Sequence, residues 1–290
     1  MPMKPDARLN AYRPDRADER LSGKVDATTF ITGNVATIAV PQATLRARPD
    51  NNASIATQAL FGDRVTVFER KGDWAWVQME KDSYVGYLQS ATLGDEMREP
   101  THRVCVPATF IYPQANMKTQ PATRIFLNSL LMITDISGDW AALANGGYVY
   151  LPHIRPVDEF ALDPVSIAEQ FVNAPYLWGG CTQGGLDCSA LVQQAYHACG
   201  LECPRDSDMI EETVGEKGSN SLRRGDLVFW DGHVGVMVDG QKIIHANAYH
   251  MAVAIEDFAK AEARIGREYG SSARFKRTDS KFHISGIEES

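Results

Sequence analysis

Two small β-barrels followed by an α+β domain is the fold class that the sequence predicts, on three observations. First, a repeat runs through the N-terminal half. Gly72-Asp73-Trp74-Ala75 returns as Gly138-Asp139-Trp140-Ala141, Val65-Thr66-Val67 as Leu131-Met132-Ile133, and Tyr84-Val85-Gly86-Tyr87-Leu88 as Tyr148-Val149-Tyr150-Leu151. Two copies are too few for a solenoid and suit two small barrels. Second, this region is built of short alternating runs broken by turn residues, the pattern of strands with one buried face. Third, beyond Pro156 helical and strand patterns mix.

Taken in order, residues 1–33 read as a polar arm, with Leu9, Tyr12 and Leu21 as its pins to the body. Residues 34–96 form the first predicted barrel and residues 97–157 the second, divided in the charged stretch Gly94–Thr101 that ends in Pro100. Trp74 and Trp140 each open an alternating strand and read as core residues. The third domain covers residues 158–279. It opens with a helix capped at Asp163-Pro164 and reaching about Asn173, because Asp caps and Pro suits the first turn. A second helix starts at Cys188 behind the cap Asp187, repeats Leu191, Val192, Ala195 and Cys199 at helical spacing, and stops at Gly200. A third begins near Asp206 or Ser207. Strands follow at Asp226–Trp230, His233–Val238, Lys242–Asn247 and Ala252–Ile255. A last helix, about Asp257–Arg267, precedes a strand near Arg274–Lys276, and residues 280–290 are a polar tail.

Composition narrows the function. A net charge of −8 argues against a nucleic-acid partner and an anionic membrane surface. No apolar run approaches the ~20 residues that span a bilayer. Met1 to Leu21 lacks the apolar core of a secretory signal. Five cysteines, Cys105, Cys181, Cys188, Cys199 and Cys203, do not make a disulfide framework. These features together point to a cytoplasmic enzyme.

The chemistry gathers around Tyr176 to Val192. The pairs Gly179-Gly180 and Gly184-Gly185 allow tight turns and close approach to a ligand. They lead into Cys188, whose place at a helix N-terminus favours the thiolate. A buried, inert thiol is the competing reading. A nucleophilic cysteine needs a base, and the base an orienting group. His233 and His245 flank Val238-Asp239-Gly240. A three-residue loop with Gly240 left-handed would pair Met237 with Gln241 and His233 with His245, on one sheet face. A two-residue Asp-Gly loop would send His245 to the other face. His197 falls on the far side of its helix from Cys188, and His102, His153, His250 and His283 belong to no constellation. Cys199 and Cys203 lack a second ligand pair, so neither zinc nor another cofactor is expected.

The Gly-Asp-Trp turn and the Gly-Tyr-hydrophobic segment of the repeat resemble bacterial SH3-like domains. Tyr176-Leu-Trp-Gly-Gly, Leu186-Asp-Cys-Ser-Ala-Leu-Val, Arg224-Gly-Asp-Leu-Val-Phe, His233-Val-Gly-Val and Ile244-His-Ala resemble, in order, the NlpC/p60 family of cell-wall cysteine peptidases. The resemblance implies two SH3-like β-barrels before a circularly permuted, papain-like domain. It also implies that Cys188 is nucleophile, His233 base and His245 the orienting residue, with Tyr176, Trp178 and Asp187 lining the site. Leu186 and Cys181 depart from the commonest pattern at positions outside the chemistry.

The whole arrangement resembles the γ-D-glutamyl-L-diamino acid endopeptidases. These cleave murein tripeptides or tetrapeptides with a free N-terminal L-Ala, in peptide recycling. Arg205-Asp206-Ser207 would then bind substrate, with Asp206 on the free amine and Ser207 beside it; a plain helix cap is the other reading of Asp206. A tyrosine of the first barrel, Tyr84 or else Tyr87, would close the amine pocket, against a core role for either. Arg48 stands where the accompanying acid would be sought. An exported hydrolase of intact wall, a wall-binding protein with a degenerate peptidase domain, and acyl transfer to an acceptor other than water are the alternatives.

Overall fold

The computed structural model describes residues 4–95, 99–218, 221–270 and 272–278; the predicted tail at 280–290 lies outside them. The chain divides into two compact units, Met1–Val157 and Asp158–Ser290.

In the first unit a seven-stranded sheet runs in the order Ile55–Leu60, Gln42–Arg46, Val85–Gln89, Trp74–Met79, Arg64–Lys71, Asn34–Ile38 and Leu93–Gly94. Leu45, Val65, Ala75, Val77 and Leu88 are fully buried. A second, five-stranded sheet has the order Thr123–Phe126, Ala108–Tyr112, Tyr148–Tyr150, Trp140–Leu143 and Ile133–Ser137. A three-stranded one joins Leu130–Leu131, His102–Val104 and Ile154–Pro156. Their core of Val104, Ile125, Leu131, Ala141 and Val149 includes Phe61, in the turn that follows strand Ile55–Leu60.

The repeat has a structural counterpart. Lys71 opposes Trp74 and Ser137 opposes Trp140, so Gly72-Asp73 and Gly138-Asp139 are two-residue hairpin loops. Gly72 and Gly138 have φ of 57° and 58°, a conformation that glycine adopts without steric cost.

Two expectations need correction here. Neither large sheet closes into a barrel: among the described residues the first ends at Ile55–Leu60 on one side and at the two-residue strand Leu93–Gly94 on the other. Bulges at Leu45/Arg46 and Val67/Glu69 bend it instead, adding twist without a closing ladder. Trp74 and Trp140 are half-buried rather than core, because the alternation puts the adjacent Ala75 and Ala141 on the inner face. Of the three tryptophans in this unit the fully covered one is Trp76, 2% exposed, packed by Ala11 and Phe68 and stacked by the Arg13 guanidinium at 4.3 Å. The N-terminal segment supplies that cover.

Among the described residues the second unit has four helices, α1 (Pro164–Glu169), α2 (Cys188–Ala198), α3 (Ser207–Thr213) and α4 (Phe258–Tyr269). Its sheet comprises β1 (Glu216–Lys217), β2 (Leu227–Trp230), β3 (His233–Met237), β4 (Lys242–Asn247), β5 (Ala252–Asp257) and β6 (Arg274–Arg277), in the order β1-β6-β2-β3-β4-β5. Asp163 caps α1 through Val165 and Ser166 N–H, and α1 ends earlier than expected, at Glu169, with Asn173 turning at φ 70°. α2 packs on β3 and β4. α4 covers the sheet face that carries Val228, Trp230, Met237 and Ile243. Val234, Val236 and Ile244, on the opposite face, are at most 2% exposed, so the central strands are buried on both sides.

Candidate active site

α2 begins as the sequence implies. The Asp187 carboxylate accepts from Ala190 N–H at 2.9 Å and closes the first turn. Its second oxygen accepts from Gly179 N–H at 2.9 Å, which folds the glycine loop onto the helix. Gly180 is required there: a Cβ would lie 2.4 Å from the Gly185 carbonyl oxygen. Arg205, 1% exposed, grips the same carboxylate with both arms, at 3.0 and 2.8 Å, and gives Ser189 Oγ a third bond at 2.8 Å. A buried carboxylate paired in this planar fork is held in one orientation.

Cys188 is thereby fixed as the first residue of α2, 7% exposed. The backbone N–H groups of Val234 and Ser189 favour the charged form of its thiol. Burial nevertheless pushes it up to about 12, helped by the Asp187 charge and opposed by those donors and by Arg205. The expected resting thiolate is therefore corrected: desolvation of the charged form outweighs the helix N-terminus.

His233 directly precedes Val234 and opens β3. Its Nε2 lies 2.8 Å from Nδ1 of His245, which is fully buried on β4. His245 Nε2 lies 2.8 Å from Glu256 Oε1 on β5. Burial, then the neighbouring His245, lowers the His233 imidazole to about 3, and burial also lowers His245. Burial alone would raise Glu256, but the Arg264 and His245 hydrogen bonds hold it well below the usual carboxylate range.

The predicted register was different. Val236 opposes Ile244 and Met237 opposes Ile243, so the β3–β4 loop is Asp239-Gly240-Gln241 and Gly240 is not left-handed. The Asp239 carboxylate builds the turn by accepting from Gln241 and Lys242 N–H at 2.7 and 2.8 Å. The shift from the expected pairing is two residues, which preserves the face, so His233 and His245 meet as diagonal neighbours. Gly235 occupies the position opposite His245, and a Cβ there would lie 3.2 Å from His245 Cβ.

Of the other candidates, Tyr176 is half-buried beside the loop, its N–H bonded to Met251 O at 2.9 Å, and Trp178 is 66% exposed. Asp206 holds the N-cap position of α3 without a side-chain cap bond, although it engages other groups, and Ser207 is the first residue of that helix. Tyr84 is 6% exposed within the first unit. In the same unit Tyr87 accepts from Arg13 at 3.1 Å and borders a cavity of about 440 Å³ with Trp74, Trp76 and Glu69. His197 bonds the Cys203 carbonyl at 3.1 Å. Sequence reasoning missed Glu256 and Arg264. Their signal was the β alternation continuing past Ile255, which brings Glu256 to the face of His245.

A thiol at a helix start, beside two neighbouring strands that carry a bonded histidine pair, is the equipment of a cysteine hydrolase. Residues 173–263 match the model of the NlpC/P60 family, and residues 45–93 match that of the bacterial dipeptidyl-peptidase Sh3 domain. The chain is therefore similar to cysteine peptidases of the NlpC/P60 family, with an SH3 domain match ahead of the peptidase-domain match.

Among its relatives, the γ-D-glutamyl-L-lysine dipeptidyl-peptidase of Bacillus subtilis is 29% identical over 66% of this chain and 72% of its own. That of Bacillus cereus is 24% identical over 71% of each chain. The dipeptidyl-peptidase 6 of Lysinibacillus sphaericus is 26% identical over 71% of this chain and 84% of its own. A crystal structure of an NlpC/P60 family protein from Bacillus cereus shares the fold, with a TM-score of 0.71 at 22% identity, over 84% of this chain and 99% of that one.

Proposed function

We propose that this peptidase hydrolyses the γ-D-Glu–diamino acid bond of murein tripeptides or tetrapeptides that carry a free N-terminal L-Ala, in the recycling of cell-wall peptides. The observation that carries the chemistry is the His233–His245 pair at 2.8 Å on the strands that α2 packs against, with Cys188 at the first turn of α2 and its sulfur charge favoured by Val234 N–H, the residue after His233. The substrate class rests on the three relatives above, which are named for dipeptidyl-peptidase activity, two of them toward γ-D-glutamyl-L-lysine.

In this reading Cys188 is the nucleophile and His233 the base. A neutral thiol and a neutral imidazole at rest call for proton transfer to accompany attack. As the sulfur bonds to the γ-carbonyl carbon, its proton passes to His233, and Val234 and Ser189 N–H receive the developing sulfur charge. His233 returns the proton to the departing amine, leaving a thioester, and then activates the water that releases L-Ala-γ-D-Glu. The Cys188 N–H and the Tyr176 hydroxyl are the proposed oxyanion donors. Trp178, exposed beside the loop, and Ser207 are proposed to contact the peptide, while Asp187 acts by holding Cys188 and Gly179. Asp206 is proposed to pair with the L-Ala ammonium.

Cytoplasmic residence is part of the proposal, supported by five free cysteines. No helix among the described residues is long and apolar enough to cross a membrane.

The test compares L-Ala-γ-D-Glu-diaminopimelate with its N-acetyl form and with intact peptidoglycan, by product analysis. A charged hydrogen bond is worth about 1.5–3 kcal/mol, so acetylation should lower kcat/KM roughly 10- to 100-fold. Equal rates on intact peptidoglycan would replace recycling with exported wall hydrolysis.

A further inference from the structure

The proposed catalytic pair leaves Glu256 and Arg264 without a task, yet both point at it. Arg264 donates to Glu256 Oε2 at 2.8 Å and to Oε1 at 2.6 Å, and its guanidinium lies 4.1 Å from the Tyr249 ring centre. The bidentate fork fixes the carboxylate plane. Of the other titratable groups nearby, His250 Nδ1 is 3.9 Å from the same Oε1 and is also bonded to Asn247 Oδ1 at 3.0 Å.

We propose that Glu256, clamped by Arg264, is a positioning residue that sets the tautomer of both histidines and so leaves the basic lone pair on His233 Nδ1. The inference rests on the reading of Cys188 and His233 as the reacting pair.

Each step follows from donor and acceptor chemistry. An ionised carboxylate only accepts, so His245 Nε2, at 2.8 Å, carries the hydrogen. Neutral imidazole has one N–H, which makes His245 Nδ1 an acceptor. His233 Nε2, 2.8 Å away, must then be the donor. Its own Nδ1 is left with the lone pair that takes the Cys188 proton. The opposite tautomers would set the His245 Nε2 lone pair against a carboxylate oxygen and leave a hydrogen on His233 Nδ1, where no proton could be accepted. When His233 is protonated during attack, the same chain ends in a negative charge that favours the imidazolium.

A purely structural tie between β5 and α4 would predict none of this, so the test reads tautomers directly. The full chain, labelled with ¹⁵N, is examined at pH 7 by long-range proton–nitrogen correlation of the imidazole rings, with Cys188→Ala alongside. The expected result is the Nε2–H form for both His233 and His245. In Glu256→Gln the Nδ1–H form should appear and kcat should fall on the order of 10²-fold, with KM changed less than about twofold. Arg264→Lys, which keeps a cation beside Glu256, should retain the wild-type tautomers.

An Nδ1–H form of His233 in the wild type overturns the proposal, and so does Glu256→Gln with unchanged tautomers and kcat. The wild-type spectrum decides even if the variant fails to fold. Because the spectrum needs no substrate, a failed peptidase reading, seen as turnover by Cys188→Ala, remains distinguishable from a failed role for Glu256.

Discussion

At Cys188 two influences oppose each other. The start of α2, the N–H groups of Val234 and Ser189 and the Arg205 cation favour sulfur charge, while burial and the adjacent Asp187 disfavour it and win, holding the thiol at about 12. His233 is held near 3 by burial and by His245. Between those values the resting pair is uncharged. Iodoacetamide alkylation of Cys188 should therefore rise about tenfold per pH unit from pH 6 to 9, because the thiolate fraction grows that way below the thiol pKa. A rate independent of pH over that range would mean a resting thiolate–imidazolium pair and would contradict the assignment. The sequence displayed the thiol, its cap and both histidines. It did not display the sign of the thiol shift, because desolvation depends on what is packed over the sulfur, and that comes from residues distant in the chain. Arg205 was visible as part of Arg205-Asp206-Ser207, but its bidentate hold on Asp187 was not.

At the scale of elements, the shared face of His233 and His245 was legible from the spacing and the hairpin signal, although the loop assumed was one residue out of place. The conclusion survived because a register change of two residues conserves sidedness. The physical cause of the change is Asp239, whose carboxylate accepts from two backbone N–H groups, so the turn does not need Gly240 left-handed. Glu256 was hidden because β5 was ended at Ile255, one residue short of it. Gly235 now has a purpose: a Cβ there would lie 2.6 Å from Ile243 Cδ1 as well as close to His245. Gly235→Val should destabilise the protein by about 1–3 kcal/mol through overpacking and reduce turnover by displacing His245. Denaturant unfolding beside a kinetic assay checks both, and wild-type values in each would mean that β3 and β4 are not so closely apposed.

For the whole molecule, the repeat and the change of character after Pro156 were readable from composition and spacing alone. Closure of the sheets was not. Strand number and turn type are local properties, whereas closure depends on whether two edges far apart in sequence meet, and here bulges bend the first sheet while its edges stay unpaired among the described residues. Trp74 and Trp140 show the same limit, since their outward facing follows from which strand face the core occupies. The motifs shared with NlpC/P60 peptidases, by contrast, are short and contiguous, which is why the resemblance was readable from sequence alone. The proposed chemistry converges on one sulfur atom. The most direct measurement is release of L-Ala-γ-D-Glu from L-Ala-γ-D-Glu-diaminopimelate by the wild type and by Cys188→Ala, followed by mass spectrometry. The expected result is hydrolysis by the wild type and loss of at least about 10³-fold in the variant, the scale of removing a covalent nucleophile. Turnover by Cys188→Ala at a rate near that of the wild type would contradict it.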